Sequence, residues 1–163
     1  MSSARSQVDR RSLSKWSSRA LSELRIVTGQ VTKGEGWAAA ADLDAVGEGY
    51  GFRKLRRELD VTEFGVNVIT VPPGYSTGGH YHERQQELYF VHRGEIEMTF
   101  GDGAKAELRE GGAARVDAAT VRSVRNLSET EDAQYLIVGA ESGYVGRDAL
   151  VPEGETNPRG TGF

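Results

Sequence analysis

The chain contains no cysteine. That excludes a disulfide framework, a thiol nucleophile and a cysteine-held zinc site. It also has no apolar run near the roughly 18–20 residues of a membrane-crossing helix, so no membrane partner is expected. The basic N-terminus has no apolar stretch behind it, which argues against a secretory leader and for a cytoplasmic location. Proline is scarce at 4 residues and histidine scarcer at 3, whereas glycine is plentiful at 21. Plentiful glycine with few runs of helical period predicts short strands joined by many turns. No P-loop, nucleophile elbow or pair of catalytic carboxylates is visible. The glycine-rich turns do not lie between a strand and a helix, which leaves a dinucleotide fold unsupported. At 163 residues the chain suits one domain with extensions.

Charge is unevenly spread. Net charge is −4, yet residues 1–25 hold six basic side chains against Asp9 and Glu23, leaving an acidic body. The arm reads as a solvated, partly disordered, serine-rich extension. An acidic body does not suit tracking a phosphate backbone, so no nucleic-acid partner is expected. Within the arm, Leu13, Trp16, Ala20, Leu21 and Leu24 recur at three- and four-residue steps, predicting a short amphipathic helix.

Chemistry concentrates between Gly74 and Gly94. His80 and His82 stand two apart, a spacing that on a strand puts both rings on one face about 6–7 Å apart. Neutral imidazoles so placed can converge on one metal ion. Glu87 opens the apolar run Leu88–Val91, and a hairpin between the two segments would lay its carboxylate beside the rings. Tyr89 shares the face of Glu87 and is a candidate to line the cavity, or else an aromatic core residue. Tyr81 is out of phase with the histidines. His92 ends its strand and reads as an ordinary polar residue.

Along the rest of the chain, Ile26–Gly29 is a candidate first strand. Lys33–Gly51 has no clear assignment and carries Trp37, which can lie over a cavity or away from it. Phe52–Leu59 reads as a basic strand. Glu63–Val71 is β-branched and apolar on both faces, fitting a strand between two layers. Glu95–Phe100 alternates cleanly, Gly101-Asp102-Gly103 turns, and Lys105–Leu108, Ala113–Val116 and Ala133–Ala140 follow as strands. Residues 144–163 have no periodicity and read as an irregular tail.

Gly74, His80, His82, Glu87 and Gly94, at these intervals, resemble the first motif of the cupin superfamily, with every position filled. The resemblance implies an all-β, double-stranded β-helix (jelly-roll) barrel, to which the sequence adds the short N-terminal helical arm. The chain then divides into an arm (1–25), a barrel (26–140) and a tail (141–163). It also implies a divalent transition metal (iron, manganese, nickel or zinc) on His80, His82 and Glu87. The family's second motif is matched less well. Gly111 and Asn126 are in place, but Asp117-Ala118-Ala119 stands where a Pro-x-Gly turn is usual, and Arg122 stands where a fourth ligand, usually His, is expected. A guanidinium only donates and cannot ligate a metal.

Two readings stay open. In one, two histidines and a carboxylate hold the metal with positions free for substrate, and Arg122 clamps a small anionic molecule, as in an oxygenase- or isomerase-type enzyme. In the other, Arg122 replaces the ion, pairs with Glu87, and the protein is a non-catalytic small-molecule binding or sensing cupin. Neither reading identifies a catalytic residue. Small cupins pair through strands and arms, so a homodimer is expected.

Overall fold

The structure, a computed structural model, describes residues 31–154. The N-terminal arm, the candidate strand Ile26–Gly29 and the last residues of the tail lie outside the described residues. Twelve strands are described: β1 (Val31–Gly34), β2 (Trp37–Ala40), β3 (Gly51–Arg53), β4 (Gly65–Val71), β5 (Tyr81–His82), β6 (Gln86–Arg93), β7 (Glu95–Phe100), β8 (Lys105–Arg109), β9 (Ala113–Val116), β10 (Arg122–Asn126), β11 (Ala133–Ala140) and β12 (Ala149–Leu150). One helical turn, α1 (Leu55–Glu58), and one 3-10 turn, Asp44–Val46, accompany them. Among the described residues no helix is long and apolar enough to cross a membrane.

Five strands form one antiparallel sheet in the order β3-β4-β11-β6-β9, and three form a second in the order β10-β7-β8. Their inner faces meet in a shared core of Ile69, Val71, Tyr89, Val91, Ile96, Met98, Val124, Tyr135 and Ile137. This is the expected jelly-roll barrel, although strand hydrogen bonds do not close it between the two sheets. Alternation decides what each strand contributes. In β6, Glu87, Tyr89 and Val91 are buried while Leu88 and Phe90 point outward. The inner row thus carries a carboxylate and a phenol among apolar neighbours.

The passage from β6 to β7, between the sheets, turns at Gly94 with φ +82°. A Cβ there would lie 3.0 Å from the Ala133 backbone, so both the conformation and the space require glycine. Asn126 braces the neighbouring turn. Its buried amide nitrogen donates toward the Val71, Pro72 and Glu131 carbonyls at 3.2, 3.1 and 2.9 Å, and its oxygen accepts the Ser128 N–H at 3.0 Å.

Two local expectations change. Phe52–Leu59 is not one strand: β3 ends at Arg53 and α1 follows. A strand would turn Arg57 inward beside Leu55 and Leu59. A helical turn packs the two leucines with Val66 and Val68 and leaves Arg57 and Glu58 on the solvent side. The unassigned stretch forms the β1–β2 hairpin, in which Trp37 lies across Gly34 where a side chain would otherwise sit. Trp37 is exposed there.

Candidate metal centre

His80 and His82 enter the barrel from a segment that is barely a strand. β5 is two residues long and pairs with β12, while His80 forms an isolated antiparallel bridge with Arg122, its N–H 3.0 Å from the Arg122 carbonyl. The expected hairpin with β6 is therefore absent from the described ladders. The residues still converge, because β5, β6 and β10 all turn their alternate side chains toward the same interior. The two rings lie 5.5 Å apart at 80°. Each of His80, His82 and Glu87 offers a ligand atom within 4.8 Å of the others.

His82 is held on both sides. Its Nδ1 is 2.8 Å from Asp148 Oδ1, and its Nε2 is 3.1 Å from Glu87 Oε1 without the alignment of a hydrogen bond. The Gln85 amide nitrogen, Nε2, lies 3.0 Å from the same Nδ1. Glu87 divides its two oxygens. Oε2 accepts from the Tyr89 hydroxyl at 2.7 Å and from Arg122 Nη2 at 2.9 Å, leaving Oε1 toward His82.

Arg122 and Tyr89 are fully buried. Arg122 does not stand at a cavity edge. Its Nη1 donates to the Ala118 and Thr120 carbonyls at 3.1 and 2.9 Å, and its Nε lies 3.4 Å from the Tyr89 hydroxyl. Four of its five N–H groups are therefore spent on the protein. Arg122 and Tyr89, the residues expected to contact substrate, are turned to Glu87 and to each other in this arrangement. Tyr89 instead stacks near Tyr135, with ring centroids 6.2 Å apart.

The electrostatics follow from this packing. Burial alone would raise the Glu87 pKa, but His82, Arg122 and Tyr89 hold the carboxylate and bring it down to about 2. Burial, with Arg122 nearby, lowers His80 to about 4, so it is neutral at pH 7. For His82 burial acts downward, but the flanking carboxylates of Glu87 and Asp148 more than offset it and the pKa rises. Asp148 is lowered: burial is outweighed by His82 and by the backbone N–H groups of Gln85 and Arg84. Burial beside the Glu87 carboxylate pushes Tyr89 well up, so its hydroxyl keeps its proton and donates.

The three residues fit a divalent ion. His80 Nδ1 and His82 Nε2 are buried without a hydrogen-bond partner among the described residues, a costly state for polar nitrogen. Two ligands bound at right angles about 2.1 Å from one ion would lie roughly 3 Å apart. His82 Nε2 and Glu87 Oε1 are 3.1 Å apart. Both histidines supply imidazole and Glu87 a carboxylate oxygen, a set suited to first-row transition metals.

Asp148 is the site residue that sequence reasoning missed. It lies 66 positions from His82, in a stretch without periodicity, and no spacing signal marks it.

Comparison with known proteins agrees with this architecture. The cupin domain family matches residues 67–139. No curated protein matches the chain significantly. Among solved structures the chain is similar to a sugar phosphate isomerase of the cupin superfamily from Silicibacter pomeroyi, with 25% identity, TM-score 0.50, and 55% of this chain and 58% of that one covered. The chain thus spans less than two thirds of that protein's length. It is similar in fold to a cupin domain from Schizosaccharomyces pombe (18% identity, TM-score 0.55, 64% and 74% covered). A cupin protein from Bacteroides fragilis is similar in the same sense (20%, 0.52, 68% and 92%). Strand order, inner-face residues and family match together show that the chain carries a cupin-superfamily domain, with its motif residues gathered in the barrel interior.

Proposed function

We propose that the protein binds a divalent transition metal through His80, His82 and Glu87 and acts as a metal-dependent enzyme on a small anionic molecule. The observation that carries this reading is a pair of buried imidazole nitrogens without hydrogen-bond partners among the described residues, one of them 3.1 Å from a carboxylate oxygen that Arg122 leaves free. A bound ion would supply Lewis acidity and open positions for substrate. The protein's own groups do the rest. Arg122 and Tyr89 fix Glu87 Oε2, holding the carboxylate in one orientation and ionised. With Glu87 matched by Arg122, a loaded centre keeps net positive charge even with Asp148 counted, which favours an anionic ligand. The likeness to the Silicibacter pomeroyi sugar phosphate isomerase supports an isomerase-type reaction, ahead of an oxygen-dependent one.

The Arg122–Glu87 contact also favours a second reading, a ligand-binding cupin in which the guanidinium replaces the ion. Metal content separates the two. Protein purified without chelator, measured by mass spectrometry beside His80→Ala and Glu87→Ala, is expected to hold near-stoichiometric iron, manganese, nickel or zinc that both variants lose. Metal-free protein that takes up none on reconstitution would overturn the enzyme reading in favour of the binder.

A further inference from the structure

The segment after β11 does more than close the sheet. Val145 is buried, and Arg56 from α1 lies over the Tyr144 ring at 4.0 Å. Beyond this anchor, β12 pairs with β5 in the register Ala149↔His82. That pairing carries Asp148 onto the loop between His82 and β6. Its Oδ2 accepts the Arg84 and Gln85 N–H groups at 3.3 and 3.2 Å, and its backbone carbonyl accepts the Glu83 N–H at 3.2 Å. Its Oδ1 faces His82 Nδ1 at 2.8 Å. Asp148 is 6% exposed, so these contacts are shielded from water.

We propose that Asp148 is a positioning residue: carried in by β12, it holds the hydrogen of His82 on Nδ1 and so presents Nε2 as a free electron pair to the metal position. This rests on the metal reading above. An ionised carboxylate only accepts, so the Nδ1 in line with it carries the hydrogen. Glu87 Oε1, 3.1 Å from Nε2, lacks hydrogen-bond alignment and is the weaker claimant to the hydrogen. Gln85 Nε2, a donor, lies 3.0 Å from the same Nδ1, so the Nδ1–H tautomer requires this amide to be turned with its oxygen toward the ring, an exchange of two atoms of nearly the same shape. A carboxylate behind a ligating histidine fixes both tautomer and ring orientation, and losing it lowers metal affinity about 10–100-fold. The clasp also ties the site to a segment some 60 residues downstream of its nearest ligand.

The test uses full-length protein and the near-isosteric Asp148→Asn variant, each freed of metal with a chelator. Nitrogen-15 NMR of the imidazoles at about pH 8.5 reads the His82 tautomer without any metal. Competition titration with zinc then reads affinity, and thermal melting checks that the variant folds. The expected result is the Nδ1–H tautomer in the native protein, its loss in Asp148→Asn, and zinc binding about 10–100-fold weaker in the variant. An Nε2–H tautomer in the native protein, or an unchanged tautomer in the variant, would overturn the proposal whatever the metal does. So would equal zinc affinity in the two proteins. Should Asp148→Asn fail to fold, the native tautomer alone decides. Native protein that shows the Nδ1–H tautomer yet takes no zinc would overturn the metal reading itself, and the positioning role with it.

Discussion

Replacing Arg122 by methionine removes the one cation that faces Glu87 Oε2 from inside the barrel, and the cost can be worked from the structure. The guanidinium is wholly buried, and the carboxylate is 6% exposed. Burial acts upward on the Glu87 pKa. With His82 the largest lowering cause, followed by Arg122 and Tyr89, Glu87 falls from 4.5 to about 2, so its ionised form is stabilised over the unfolded chain by on the order of 3 kcal/mol in all, of which Arg122 supplies a part. The sign is that of a depressed carboxylate. The contribution is complete above the unfolded value and is lost as pH falls from about 4.5 toward 2. Removing one partner of a buried pair costs about 3–5 kcal/mol, because the other is left buried and uncompensated. Arg122→Met is therefore expected to destabilise the metal-free protein by about that much in urea at pH 7. Glu87→Gln, which keeps the shape and removes the charge, costs less. Combined, the two changes cost less than their sum, with a coupling of about 2–3 kcal/mol, within the range found for residues in direct contact. Chelator is kept in every sample so that metal binding does not enter the cycle. Coupling below about 0.5 kcal/mol would refute the pairing and return Arg122 to solvent or substrate.

Three further outcomes are expected. His80 is lowered from 6.5 to about 4, so the unfolded chain takes up its proton first as pH falls. Metal-free native protein then loses up to about 3 kcal/mol relative to His80→Gln between pH 6.5 and 4, read by urea melts across that range. The raised His82 pKa acts the opposite way, its contribution being present below 6.5 and lost at higher pH, and it is common to both proteins. Gly94→Ala combines positive φ with a Cβ 3.0 Å from backbone, and is expected to lower stability by about 2–3 kcal/mol; a change under 0.5 kcal/mol in the same melts would contradict the steric argument. Asn126→Ala strips amide donors from three carbonyls at a buried turn and is expected to cost about 2–4 kcal/mol without altering zinc affinity, since Asn126 makes none of the contacts at the metal centre; weakened zinc binding would tie that turn to the site.

Much of the fold was legible because alternation is a local signal. Glu95–Phe100 and Ala133–Ala140 appear with the bounds their side chains suggest. His80, His82 and Glu87 were legible as a set because three residue types at fixed intervals leave little room for chance. The departures have physical sources. Leu55 and Leu59 suit one face of a strand or of a helix alike, and only the charge of Arg57 between them decides. The substitution at Arg122 was visible, but its burial was not, since that depends on carbonyls from the Ala118–Thr120 turn and on Glu87, 35 residues away. Asp148 had no periodicity to mark it, and its role exists only where β12 meets β5.

The central claim is that one ion sits among His80, His82 and Glu87 even with Arg122 against the carboxylate. The most direct measurement is anomalous diffraction at the metal edge from crystals grown with manganese or zinc. A single strong peak is expected about 2.0–2.3 Å from a ring nitrogen of His80, from His82 Nε2 and from Glu87 Oε1, with Arg122 still on Oε2. A map with no peak among these residues at saturating metal, or with the ion bound elsewhere, would contradict it.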